Sequence, residues 1–167
     1  MMRRTVLARG VVGGMLMAML AFPSGPAQAF SHETIASKMR ADALLKKGRM
    51  DTAVSLYEKV IHKDPRFANA YYNLATAYYL KGNIRKALEN LESFVNLRPG
   101  DAEALYNLGS LKLQLGDFEE AQGYFQRAQD CSSSPLLCQK IRQALDVLKG
   151  LRQNPETQKL LAYLLTT

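Results

Sequence analysis

The chain has 167 residues, with 22 Lys and Arg against 15 Asp and Glu, and a formal net charge of +7. Its basic and acidic residues are interleaved, which excludes the one-sign stripe of charge expected of a nucleic-acid-binding protein. The length corresponds to one domain of common size that can bury a core of its own.

Residues 1–29 have the layout of a cleavable secretory signal peptide. A basic start without acids precedes an apolar stretch, Val11 to Phe22, and the small residues Ala27-Gln28-Ala29 predict cleavage before Phe30. The apolar stretch is shorter than the roughly 20 residues of a membrane span, so an uncleaved anchor is the alternative. Arg3-Arg4 leaves twin-arginine export open. We therefore expect an exported, periplasmic protein, with secretion as a further alternative and a mature net charge of +4.

After a lead-in at residues 30–33, the sequence repeats itself every 34 residues. The spacing holds for the glycines Gly48, Gly82 and Gly116, the alanines Ala53, Ala87 and Ala121, the bulky residues Tyr57, Leu91 and Phe125, and the prolines Pro65 and Pro99. A strict period of this length indicates one supersecondary element per unit, stacked on its neighbours as a solenoid. The units run over residues 34–67, 68–101 and 102–135.

Each unit predicts two antiparallel helices joined at the glycine, which follows the first helix where a left-handed conformation is needed. The alanines let the second helix approach the first closely, and the bulky residues fill the space between the two. The prolines end the second helix, because proline cannot continue it.

Residues 136–167 predict C-terminal capping helices. Leu137, Ile141, Ala144, Leu148 and Leu151 recur at helical spacing after Pro135, which suits a first helical position. Asn154-Pro155-Glu156 then predicts a new helix that contains Leu160 to Leu165. This apolar segment either folds back on the cap or makes a dimer or partner contact.

The unit resembles the tetratricopeptide repeat. The second copy matches best, at Tyr71, Leu74, Ala75, Tyr78, Gly82, Ala87, Leu91 and Pro99. The first copy departs from the family pattern at Arg40, and the third departs at Lys112 and Ser133. The resemblance covers about 100 residues. It implies an all-α solenoid of three helix-pair repeats plus the cap.

Cys131 and Cys138 are the only cysteines, and they bracket the connection between the third repeat and the cap. In an exported protein they predict a structural disulfide that pins the cap to the repeat. Free, buried thiols are the alternative. A redox-active pair would have the Cys-x-x-Cys spacing, which is absent here.

The sequence carries no recognisable catalytic or metal-binding motif. His32 and His62 lack metal-ligand spacing and are expected to face solvent. Nucleophile motifs, phosphate-binding glycine loops and Cys/His clusters are absent. We therefore predict no enzyme activity, no cofactor, no metal and no small-molecule substrate.

The family resemblance implies a concave groove lined by the first helices of successive units. The candidate peptide-binding residues are Lys38, Asp42, Asn69, Tyr72, Asn73, Thr76, Tyr79, Glu103, Tyr106, Asn107 and Ser110. Asn73 and Asn107 are expected to hold a peptide backbone through their amides. Family members that bind chaperone C-termini clamp a carboxylate with a mainly cationic set of five residues. Lys38 and Asn73 match two of those places here. Asp42, Glu103 and Asn107 occupy the other three, which argues against such a clamp. Binding through the convex face or the ends is the alternative.

These features predict a non-catalytic, exported adaptor that binds a partner polypeptide during assembly or maturation of a cell-envelope complex. Membrane contact would come only through an envelope partner or an uncleaved signal. The alternative is a structural, self-associating scaffold, a homo-oligomer that uses its ends and the apolar C-terminal helix.

Overall fold

The computed structural model describes residues 30–154 and residue 156. Within 30–154 the chain is helical, and its helices follow one another as antiparallel neighbours. They are α1 (His32–Lys46), α2 (Met50–Lys63), α3 (Ala68–Leu80), α4 (Ile84–Leu97), α5 (Ala102–Leu115), α6 (Phe118–Cys131) and α7 (Pro135–Gln153). The three predicted helix pairs and the cap are therefore present, and the all-α solenoid is confirmed. None of these helices is both long and apolar enough to cross a membrane.

The turn inside each pair depends on a glycine with positive φ. Gly48, Gly82 and Gly116 have φ values of 74°, 76° and 85°, the left-handed region that glycine enters without steric cost. The residue after each glycine donates its N–H to a carbonyl five residues earlier, as Asn83 does to Tyr78 at 2.9 Å. This is the bonding of a Schellman C-cap, which satisfies the carbonyls left open at the helix end.

The two helices of a pair meet where a small residue faces a bulky one. Ala53, Ala87 and Ala121 are fully buried, as are Tyr57 and Phe125. In the third pair Gly109 faces Phe125 closely, because a Cβ placed on Gly109 would lie 2.7 Å from the Phe125 ring. The alanines and the bulky residues, with Leu91 only 4% exposed, are thus buried in the core, as their predicted roles require.

Helix α7 caps the array by packing on α6. Pro135 is its first residue, and the N-cap Ser134 accepts a hydrogen bond from the Leu137 N–H. Ile141 and Leu148 are buried against the third pair, whereas Leu136 and Val147 are exposed. Asn154 Oδ1 accepts the Glu156 N–H at 3.0 Å, as expected for a new helix start. The predicted Leu160–Leu165 helix and the signal peptide lie outside the described residues.

The predicted disulfide is not formed, and this expectation was wrong for the structure. Cys131 and Cys138 are both free thiols. Cys131 is exposed at the last residue of α6, whereas Cys138 is half-buried, with its Sγ 3.6 Å from the Ser132 carbonyl oxygen. A disulfide requires the two Cβ atoms to point toward each other, and the spacing in sequence does not determine that. The alternative of two buried thiols fails as well, because Cys131 is exposed.

Lys112, where the third repeat departs from the family pattern, is buried along its stem and charged at its tip. Its Nζ lies 2.8 Å from Glu120, 3.7 Å from Asp117 and 3.9 Å from Glu92. The hydrogen bond to Glu120 is the main cause that raises the pKa of this lysine. Tyr78 stands at the equivalent place in the second repeat and donates to Glu58 at 2.8 Å. A long side chain with a polar tip therefore occupies the equivalent position in both repeats.

We expect Lys112→Met to change the free energy of unfolding by less than about 1 kcal/mol, because the partner carboxylates are solvated and the stem is kept. Lys112→Ala should lower it by about 1–2 kcal/mol, because the buried stem is lost. Urea unfolding at low and high salt tests both variants. Equal losses in the two variants would show that the ion pairs, and not the stem, stabilise this position.

Candidate functional site

The candidate groove is the surface along α1, α3 and α5, the first helices of the three pairs. Contacts between neighbouring helices bring these three elements side by side. All of the predicted groove residues lie on them and are at least partly exposed. Tyr79 is 46% exposed, which makes it the most open of the predicted tyrosines.

At the α1 end of the groove, three donors converge on the carboxylate of Asp42. The Tyr57 hydroxyl donates to Oδ1 at 2.6 Å, and Asn73 Nδ2 donates to the same oxygen at 2.7 Å. Lys38 Nζ lies 2.7 Å from Oδ2. Burial, followed by the bond to Asp42, raises the pKa of Tyr57, so this hydroxyl stays protonated and donates. The network ties α1, α2 and α3 together and neutralises Lys38.

A second tie joins α3 to α5. Asn107 Nδ2 donates to the Tyr72 hydroxyl oxygen at 3.1 Å, and the Tyr72 ring packs edge-on against Phe94. Burial and the charge of Glu103 raise the pKa of Tyr72. In this arrangement the amide groups of Asn73 and Asn107 donate hydrogen bonds to the preceding repeat. The sequence-based prediction was that they hold the backbone of a bound peptide.

Between α3 and α5 the groove contains a pocket of about 240 Å³. Its lining consists of Tyr72, Ala75, Thr76, Tyr79, Ala87, Leu91, Asn107, Ser110, Leu111 and Gln114. The floor is aliphatic, the rim carries hydroxyl and amide groups, and none of these side chains is charged. Five of the predicted groove residues are therefore brought together around one cavity.

The remaining predicted residues are distributed along the groove on both sides of this pocket. Lys38, Asp42 and Asn73 form the network at the α1 end. Glu103 and Tyr106 line a second pocket of about 280 Å³, between α5 and the start of α7. Asn69 is exposed on the first turn of α3.

The sequence interpretation missed Gln114 and the contribution of α7. Leu136, Leu137 and Lys140 face Glu103 and Tyr106 across the second pocket. Continuing the 34-residue spacing from Glu103 and Tyr106 leads to Leu137 and Lys140, so the signal was present in the sequence. The capping helix thus extends the groove by one helix.

The described residues hold no cluster of His, Cys, Asp or Glu side chains arranged for a metal ion. What the groove offers instead is an uncharged pocket with hydrogen-bonding groups at its edge, which suits noncovalent binding.

Comparisons with known proteins agree with this architecture. The family model described as anaphase-promoting complex, cyclosome, subunit 3 matches residues 46–128, just under half of the chain. The tetratricopeptide repeat and J domain-containing co-chaperone DNJ1 of Cryptococcus neoformans is 32% identical over 105 residues, which cover 60% of this chain and 20% of that protein. The match therefore spans about a fifth of the length of this relative.

Two solved structures share the fold. The first TPR of Spaghetti (RPAP3), bound to the HSP90 peptide SRMEEVD, has a TM-score of 0.63 and 21% identity, and covers 74% of this chain and 98% of that one. The Yersinia enterocolitica type III secretion chaperone SycD, in complex with a peptide of the translocator YopD, has a TM-score of 0.69 and 14% identity. This match covers 74% of this chain and 98% of the SycD chain.

Proposed function

We propose that this chain works as a non-catalytic adaptor that binds a partner polypeptide in its groove. The premise is that the chain belongs to the tetratricopeptide repeat proteins. The observation that carries the proposal is the uncharged pocket between α3 and α5, which is open to solvent and lies on the face shared by three successive repeats. Two structures of the same fold hold peptides, which supports a peptide as the class of ligand.

The tyrosines make this face suitable for peptide binding. Tyr72, Tyr79 and Tyr106 combine a large apolar surface with a hydroxyl, and they lose little conformational entropy on binding. Tyr72 is held by Asn107 and Phe94, and Tyr106 packs on Phe125 at 5.6 Å between ring centroids. Rings that are already fixed reduce the ordering cost of association.

The proposed place of action is the cell envelope. Residues 1–29 support it, because their basic, apolar and small-residue regions follow one another as in a signal peptide. The assembly or maturation of an envelope complex is the role we propose for an adaptor in that compartment.

We expect a photo-crosslinking residue at Tyr79 to capture a partner polypeptide in intact cells that express the chain with its own leader. The same residue at Ser93, which lies on α4 outside the groove, should give no such adduct. Mass spectrometry of the adduct identifies the partner and shows whether the chain begins at Phe30, as cleavage predicts.

The groove-filling variant Ser110→Leu should abolish the Tyr79 adduct, which separates groove binding from chance proximity. Adducts that contain only this chain would favour the self-associating scaffold. An adduct at Ser93 alone would place binding on another face and contradict the proposal.

A further inference from the structure

The size and the lining of the pocket between α3 and α5 suit the binding of one side chain of a partner. Its volume of about 240 Å³ lies below the roughly 300–1,000 Å³ typical of sites for drug-sized ligands. Ala75, Ala87, Leu91 and Leu111 form an aliphatic floor. An apolar side chain is favoured in such a cavity, because a charged one would lose its hydration without gaining a partner.

The rim of the pocket is arranged to bond a neutral peptide backbone. The hydroxyls of Thr76 and Ser110 donate to carbonyl oxygens of their own helix at 3.0 Å each, so their oxygens remain available to accept an N–H. Tyr72 accepts from Asn107, which leaves the hydroxyl proton of Tyr72 available for a carbonyl oxygen. The rim therefore offers both an acceptor and a donor, the two groups that an amide requires.

The α1 end of the groove is closed to a second carboxylate. The amide of Asn73, the hydroxyl of Tyr57 and the ammonium of Lys38 already converge on Asp42. An acidic chain end entering here would meet the negative charge of Asp42 and find these donors in use. The protein thus places its own carboxylate, that of Asp42, where these three donors converge.

We propose that the partner presents an uncharged, extended segment to the groove, and that one aliphatic side chain of this segment fills the pocket between α3 and α5. This inference rests on the proposed function and names the chemistry of the ligand. The pocket then recognises the aliphatic side chain of the partner, and the carboxylate of Asp42 disfavours binding of an acidic chain end.

The test is an NMR titration of the ¹⁵N-labelled full chain with short, blocked Gly/Ser peptides that differ only in the central residue. With a central leucine, we expect saturable shifts in the backbone amides of Thr76, Ser110 and Gln114. With a central aspartate, binding should be at least about tenfold weaker, because the apolar contact is lost and a charge is desolvated. A leucine peptide with a free, acidic C-terminus should bind no more tightly than its blocked form.

Ser110→Leu should remove the leucine-peptide response, because the new side chain occupies the pocket. Ser93→Leu is a matched control, since the Ser93 hydroxyl also donates to a carbonyl four residues earlier, at 2.9 Å. The native dispersion of both variant spectra shows that they are folded.

Equal binding of the aspartate peptide, absence of binding by the leucine peptide, or an unchanged response in Ser110→Leu would overturn the inference. The proposed function would survive each of these results if Tyr79 still captures a partner that Ser110→Leu excludes, so the two failures are distinguishable.

Discussion

Replacing Phe125 with alanine is expected to lower the free energy of unfolding by about 3–5 kcal/mol. Phe125 is fully buried, and it fills the space between α5 and α6 beside Gly109 and Tyr106. The substitution removes an aromatic side chain from a site with close backbone neighbours, so little collapse can offset the cavity. Urea unfolding followed by circular dichroism measures the loss. Gln126→Ala, at the exposed neighbouring position, should change stability by no more than about 0.5 kcal/mol.

The close contact between Gly109 and Phe125 restricts which side chains fit at either position. An alanine Cβ at this position would lie 2.7 and 2.8 Å from ring atoms of Phe125, which forces the ring or a helix to move. We expect Gly109→Ala to lower stability by about 1–2 kcal/mol, although alanine is the better helix former by about 1 kcal/mol. The second repeat has Ala75 and Leu91 at the two equivalent positions. Gly109→Ala should therefore be tolerated once Phe125→Leu is present; an unchanged penalty in the double variant would refute the steric explanation.

Removing the carboxylate of Asp42 is expected to lower the free energy of unfolding by about 2–3 kcal/mol. Asp42→Ala leaves the hydroxyl of Tyr57, a fully buried residue, without its acceptor, and it also releases Asn73 and Lys38. A buried donor without a partner retains the full cost of its desolvation. Thermal and urea unfolding of the variant give the magnitude.

A double-mutant cycle with Tyr57→Phe identifies the source of this loss. Once Tyr57→Phe has removed the hydroxyl, no buried donor is left to satisfy, so Asp42→Ala should cost at least about 1 kcal/mol less than in the native background. The same cost in both backgrounds would mean that the ties to Asn73 and Lys38, and not the buried hydroxyl, carry the effect.

Much of the fold could be predicted because the determining signals are local and repeated. A glycine every 34 residues marks a turn that needs positive φ, and Gly48, Gly82 and Gly116 all adopt it. Apolar periodicity and Pro135 likewise placed the start of α7 correctly. These signals depend on backbone sterics and on which face of a helix is apolar, and both can be read from one sequence.

The features that the sequence did not predict are the directions of side chains and hydrogen-bond partners that lie one repeat away. Cys131 is exposed at the last residue of α6, and its separation from Cys138 in sequence does not determine whether the two Cβ atoms point toward each other. Asn73 and Asn107 face Asp42 and Tyr72, each located more than 30 residues earlier in the chain. Lys112 departs from the family pattern by sequence but keeps a long stem and a polar tip, as Tyr78 does.

The packing of each helix chiefly on its chain neighbours has a consequence for how the molecule opens. Helix α7 contacts mainly α6, so its amides are released without disturbing α3 or α4, which are flanked on both sides. Local opening should therefore be graded along the chain, with amide protons exchanging fastest in α7 and slowest in α3 and α4. The walls that α3 and α4 contribute to the pocket then lie in the slowest-exchanging stretch of the array, so we expect opening at the C-terminal end to leave them in place.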